Sequence, residues 1–462
     1  MTGVSSASTA PPPARTPPGA GADEGAPGPA PRRLAEVREL ARGTRVGRLA
    51  TAAALTLVLI LLAGVLALVA TLRTQAASQD VTTRSGPLTA AAQELYRAIS
   101  DADASAGQGF LLGAGEPESL RLRYQTDLAA AGRALAVVGS ASGSGGGDAA
   151  TGPVATLTSG LPVYAGLVET ARTADRQGLT YGSAYLREAS SFLQTTLLPA
   201  AQETYDAQAA ALSDDQAVAD GGVWTLLALV AVVGALVALW LLHRRIARTT
   251  KRRLTPGVAL AGAAVGLMLV WGVVALGLCA AFTASAREGG SDPNRELVAA
   301  RFAVLQSRSD EVLTLVARST GGDYEQDYVR RSIALHGWQG LLDRARDEAG
   351  PGPVADDATT AQTVGRQGIT VHELARTLDV SGDYDGAVAL ALATGPGGGQ
   401  GTVQQVEDAL DHAITTTADT ASSDAAAADA ATTLLAFGVV VLTLLAAAGL
   451  AVGVWPRLQE YR

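Results

Sequence analysis

Between Arg48 and Arg73 the chain reads LATAAALTLVLILLAGVLALVATL, twenty-four residues without a charge. At about 1.5 Å of rise per residue, such a run crosses the roughly 30 Å hydrocarbon core of a bilayer, where a helix satisfies its own backbone polar groups. Three further runs of this kind occupy 221–242, 257–282 and 432–455. They collect most of the large apolar residues, so the chain reads as an integral membrane protein with four transmembrane helices. The first run lies behind 48 residues and is too long for the apolar region of a signal peptide, which makes it a retained anchor.

Two polar segments, 73–220 and 283–431, separate the spans into pairs. The short connection 243–256 carries Arg244, Arg245, Arg248, Lys251, Arg252 and Arg253 and no acid. Basic loops stay in the cytoplasm, so both termini are expected inside and both polar segments outside the cell membrane. Those segments are acidic: residues 74–220 hold 16 Asp and Glu against 8 Lys and Arg, and residues 287–431 hold 23 against 11. Nucleic acid is therefore excluded as a partner, and membrane lipid is left to the spans and the basic loop.

Residues 1–31 are rich in Pro, Ala and Gly and nearly devoid of large apolar groups, the composition of a disordered cytoplasmic tail. Residues 32–48 form a basic juxtamembrane segment, and 456–462 a short inner tail. The single cysteine, Cys279, lies within the third run, so no disulfide can form inside the chain.

Each polar segment is short of β-branched and aromatic residues and rich in helix formers. Breakers divide the first into helices over 74–112, 117–138, 154–177 and 183–219, with Pro199 expected to kink the last. The second divides at 321–322, 350–353, 381–383 and 395–401, and its last helix runs into the fourth span without a breaker. The fold class is all-α: two extracytoplasmic four-helix bundles between four transmembrane helices, arranged as an internal duplication.

The duplication is signalled by VETARTADRQG (168–178) and HELARTLDVSG (372–382). One offset matches Glu169 with Glu373, Arg172 with Arg376, Asp175 with Asp379 and Gly178 with Gly382. Helical spacing allows each arginine to pair with a carboxylate three residues away, and each glycine suits the left-handed residue that ends a helix. Two readings stay open for these six charged residues: surface ion pairs at helix ends, or a paired docking surface.

Catalytic signatures are missing from the sequence: there is no phosphate loop, no nucleophile elbow and no metalloprotease pair. Neither cofactor nor metal site is expected. The histidines, His243, His336, His372 and His412, lack ligand spacing and read as core or surface groups. Asp101 with Asp103, and Asp356 with Asp357, read as solvated faces of Ala-rich helices. The spans hold no central ionisable residue, which disfavours a pump or carrier. Gly262 with Gly266 and Gly449 with Gly453 have the spacing that lets membrane helices approach closely.

The stretches SDADASAGQGFLLGAGEPESLRLRYQTDL and YAGLVETARTADRQGLTYGSAYLREASSFL resemble the actinobacterial four-span membrane proteins of the GlnX type. That resemblance implies a signalling relay. An outer solute-binding protein senses amino acids such as glutamate or aspartate, the membrane protein passes on its state, and a cytoplasmic Ser/Thr kinase of the PknG type responds. The expectation is thus a non-enzymatic sensor or relay whose output is the basic loop, with homo-oligomerisation left open. A structural cell-envelope scaffold and a transporter or its accessory subunit are the alternatives.

Overall fold

The computed structural model describes residues 45–113, 116–142, 152–219, 222–250, 256–286 and 292–459. The expected tail 1–31, most of 32–48 and the last residues of the inner tail lie outside the described residues. Every regular element is helical, and four helices are long and apolar enough to cross a membrane.

In the first half, α1 (Arg45–Asp80) holds the first span and continues through a π-helical turn, Val81–Ser85, into α2 (Gly86–Leu112). Then come α3 (Glu118–Ser142), α4 (Pro153–Arg176), α5 (Gly182–Phe192), a second π-helical turn (Leu193–Leu197) and α6 (Leu198–Ala219). The spans α7 (Gly222–Thr250) and α8 (Pro256–Ala286) follow.

Both π-helical turns end just before a proline. Pro87 and Pro199 lack an N–H, and their rings would clash with the carbonyl four residues back. The backbone widens instead: Gly86 N–H donates to Val81 O, and Leu198 N–H to Leu193 O, each five residues back. The kink expected at Pro199 is thus absorbed one turn earlier, and the helix continues.

The second half contains α9 (Asp292–Ala317), a 3₁₀ turn at Arg318–Thr320, α10 (Gly322–His336), α11 (Leu341–Ala349), α12 (Pro353–Ser381), α13 (Tyr384–Leu392) and α14 (Gly399–Gln459). Among the described residues it holds six helices rather than four, because the chain breaks at 337–340 as well as at the expected 381–383. Residues 337–340 break α10 from α11, with Gln339 at positive φ and Trp338 92% exposed. Asp383 then restarts the chain as α13, its carboxylate capping Gly386 N–H at 3.0 Å. By contrast, α14 spans 61 residues and carries the fourth span without a break, as the missing breaker predicts.

The two polar segments do not fold as separate bundles. One continuous core joins Leu95, Ile99, Tyr164 and Leu197 of the first half to Leu297, Leu305, Val406 and Leu410 of the second. Tyr96 stacks on Phe302 across the seam with ring centroids 3.7 Å apart. Together they make a single head on one side of the spans. A separate core inside the spans gathers Ile60, Ala63, Ala235, Leu239, Ala261, Val265, Ala446 and Leu450.

Among the spans, the glycine expectation holds for only one helix. A Cβ on Gly453 would fall 2.8 Å from Val258 N, and one on Gly449 3.0 Å from Gly257 O, so α14 meets α8 backbone to backbone. A Cβ on Gly262 or Gly266 would meet open space. The seam of α8 is Gly257, Ala261, Ala264, Val265 and Met268, a single helical face, and residues 262 and 266 are rotated about 100° from it.

Candidate functional site

The middle of α2 is buried on every side, because the other helices of the first half cover one face and α9 covers the other. The sequence SDADASAGQG therefore lies inside the head. Asp101 and Asp103, expected on a solvated face, are 5% and 2% exposed. Small neighbours (Ala102, Ala104, Ser105, Ala106, Gly107) permit close approach of α9, and a Cβ on Gly107 would strike Val312. Alanine content that suggests a water-facing helix here serves helix-to-helix contact.

Asp103 accepts hydrogen bonds from Ser309 (2.6 Å), Ser190 (2.7 Å) and Tyr164 (3.1 Å). Burial pushes its carboxyl above the usual range, and the three hydroxyls partly offset this. Its counterpart on α9, Asp310, is fully buried and pairs with Arg331. The amide of Gln194, from the second π-helical turn, donates to Asp310 at 3.4 Å. Burial raises the Asp310 carboxyl to about 7, against the lowering effect of Arg331.

Arg308, 5% exposed, ties the halves a second time, reaching Asp101 at 3.3 Å and Glu407 of α14 at 3.2 Å. Gln306 of α9 donates to the Tyr96 hydroxyl of α2 and accepts from Arg331 at 2.7 Å. The seam is thus a chain of charged and hydroxyl groups that join residues about two hundred positions apart. Buried groups of this kind cost little when every partner is present and much when one is lost.

The repeated element sits at the far end of the head in both halves. Gly178 and Gly382 take left-handed φ of 68° and 93°. Leu179 N–H bonds Ala174 O and Asp383 N–H bonds Leu378 O, both at 2.9 Å, so the helix ends share one cap. The arginines differ in burial. Arg172 is 8% exposed, lies 4.1 Å from the Tyr124 ring centre, and bridges Glu116 (3.2 Å) and Glu169 (2.9 Å). Arg376 bridges Glu325 (3.0 Å) and Asp379. Each arginine therefore takes one carboxylate from its own helix and one from near the start of the second helix of its half.

Asp175 is not bonded to Arg172; its carboxyl is pushed up by partial burial and then by Glu116. Glu169 and Glu373 face solvent. Beside the second copy, His372 is buried between Glu311 and Glu325, each at 3.2 Å, and stacks on Tyr328 at 3.7 Å. Burial pulls its pKa down, but hydrogen bonds to the two glutamates outweigh that and hold it at about 9.

Residues missed in the sequence (Glu116, Tyr124, Glu311, Glu325, Tyr328) complete this arrangement. A signal for two of them was present: Tyr124 and Tyr328 stand at the same offset as Arg172 and Arg376. Of the inner loop, Arg244 lies 5.0 Å over the Trp240 ring and Arg245 lies in the same helix, which runs on to Thr250. Lys251, Arg252 and Arg253, and the side chain of Arg248, lie outside the described residues. Asp357 pairs with His412 at 2.6 Å on the surface, and Asp356 is exposed.

Residues 77–217 match the family model of an actinobacterial sensor domain. No curated protein and no solved structure matches the chain. The matched stretch contains the end of α1, both π-helical turns, α2 through α6, and with them Asp101, Asp103, Glu169, Arg172 and Asp175. The chain is thus a helical protein with four candidate membrane spans, and part of its first half is similar to an actinobacterial sensor domain.

Proposed function

We propose that the chain is a non-enzymatic transmembrane relay. Its head, on the extracytoplasmic side, meets a solute-binding protein; its basic inner face meets a cytoplasmic Ser/Thr kinase; both termini lie in the cytoplasm. The observation that carries the reading is helical continuity between head and spans. From Arg45 to Leu112 and from Gly399 to Gln459 the backbone crosses the head–span border without a loop. A push on the head therefore moves a span as a rod, and a coupling of about 1–3 kcal/mol suffices to shift a two-state equilibrium.

Docking is assigned to the far end of the head, where Glu169 and Glu373 are exposed above Arg172 and Arg376. Tyr181 and Tyr185, also exposed and 6.0 Å apart, add aromatic anchors beside the first copy. The test is photo-cross-linking in living cells from positions 181 and 373, together with replacement of Arg244, Arg245, Arg248, Lys251, Arg252 and Arg253 by glutamine. Capture of a solute-binding protein and loss of a solute-dependent phosphorylation response are expected. If neither appears while the protein is inserted normally, the relay reading fails.

A further inference from the structure

Asp103 and Asp310 are linked across the seam through two side chains. Gln194 Nε2 donates to Ser309 Oγ and to Asp310 Oδ1, both at 3.4 Å, and Ser309 Oγ donates to Asp103 Oδ2 at 2.6 Å. One set of contacts thereby ties α2, α9 and the second π-helical turn together. Both carboxyls are buried, Asp103 at 2% exposure and Asp310 at 0%. The Asp101–Arg308–Glu407 group differs: its α2 and α9 members stand two residues away, about 200° round each helix, and it contains its own cation.

Among the described residues no cation bonds Asp103, whose oxygens accept from the hydroxyls of Ser309, Ser190 and Tyr164. An ionised carboxylate held in this way is a buried charge without a counter-ion, and a second carboxylate nearby adds like-charge repulsion. A proton removes both costs. Placed on Asp103 Oδ2, it reverses the Ser309 hydrogen bond and leaves those from Ser190 and Tyr164 in place. Solvent approaches Asp310 beside its partner Arg331, whose side chain is 23% exposed.

The surroundings are mixed in charge. The Tyr124 and Tyr164 hydroxyls of α3 and α4 are kept protonated by burial, with Arg172 near both. Toward α10 stand Arg331, Asp327 and Tyr324, and Arg187 of α5 lies near Tyr324. Against these, burial lifts both carboxyls, Asp310 to about 7. The sign follows: the proton-bound form prevails below neutrality and is lost as pH rises through the folded value.

We infer that the seam is a proton-operated clamp: with Asp103 and Asp310 protonated the two halves of the head close on each other, and ionisation loosens α2 from α9. Because α2 continues through the first π-helical turn into the first span, loosening reaches the membrane. Protons on the side of the head thus become a second input to the proposed relay. That purpose rests on the relay reading, whereas the clamp is read on the purified chain without partners, so the two can fail separately.

The full chain in nanodiscs carries nitroxides at two exposed sites, one in each half, through Leu122→Cys on α3 and Val329→Cys on α10. Cys279→Ser removes the native thiol. Double electron–electron resonance reads the distance between the labels at steps from about pH 5.5 to about pH 8.5. One distance is expected at the acidic end and a longer population at the alkaline end, with its midpoint near pH 7. The open-to-closed ratio is expected to rise about tenfold per pH unit for each proton released. Asp103→Asn combined with Asp310→Asn is expected to hold the short distance throughout, since an amide stands in for a carboxyl that never ionises. The pH series on the unaltered seam needs no such substitution, so the test does not depend on the variant's folding, and circular dichroism at each pH separates loosening from unfolding. Equal distances across the range with the seam unaltered, a pH response that persists in the double variant, or lengthening that comes with loss of helix would overturn the inference.

Discussion

Arg172 and Glu169 belong to the same ion pair yet differ in what they risk. Arg172 is buried against Tyr124 and serves two carboxylates, whereas the Glu169 side chain is 55% exposed. Arg172→Ala leaves Glu116, whose side chain is 11% exposed, with Arg121 at 3.3 Å as its remaining cation and removes the contact with the Tyr124 ring, and is expected to cost about 2 kcal/mol. Glu169→Gln is expected to cost under about 1 kcal/mol. Urea unfolding of the full chain in detergent, followed by circular dichroism, separates the two. A second residue-scale prediction concerns pH. The carboxyls of Asp103 and Asp310 are raised above their unfolded values, Asp310 to about 7, and the imidazolium of His372 is raised to about 9. Groups raised on folding stabilise fully below their unfolded pKa and lose that contribution as pH rises through the folded value. The unfolding temperature is therefore expected to fall from about pH 5 to about pH 9, and Asp310→Asn to flatten the part near neutrality. A scan that rises over this interval would contradict the burial assigned to these groups.

At the scale of elements, the glycine seam shows how far spacing can be trusted. Two Gly-x-x-x-Gly pairs have equal standing in the sequence, but only Gly449 and Gly453 face another backbone. Gly453→Leu is expected to destabilise the span bundle by about 1–3 kcal/mol through overpacking, and Gly262→Leu to leave it unchanged within error. Thermal unfolding in detergent reads both. The helix ends were legible for a different reason: Gly178, Gly382 and the breakers near 321, 351 and 397 act through local backbone conformation. The break at 337–340 passed unnoticed because its two glycines flank Trp338 and Gln339 rather than standing together. The π-helical turns were legible only as a disturbance at Pro199. That a proline is met by widening rather than by a kink depends on helices packed along both sides.

For the whole molecule, the shared core carries a prediction about the parts. Residues 77–217, expressed alone, would expose Tyr96, Ile99 and the α9-facing side of α2, and would leave Asp101 without Arg308 and Asp103 without Ser309. This segment is expected to show no cooperative unfolding transition by itself and to gain one when co-expressed with residues 287–431, as read by calorimetry of the purified pieces. A sharp transition for the isolated segment would mean that the seam is dispensable. The sequence by itself determined the four spans, the all-helical class and the shared cap of the repeated helices. Each of these follows from composition and spacing within a few turns of chain. Only the tertiary structure decided that the two polar segments make one head, that Asp101 and Asp103 are buried in it, and which glycines touch. A residue's burial depends on what packs over it, and here the covering helix lies some two hundred residues away.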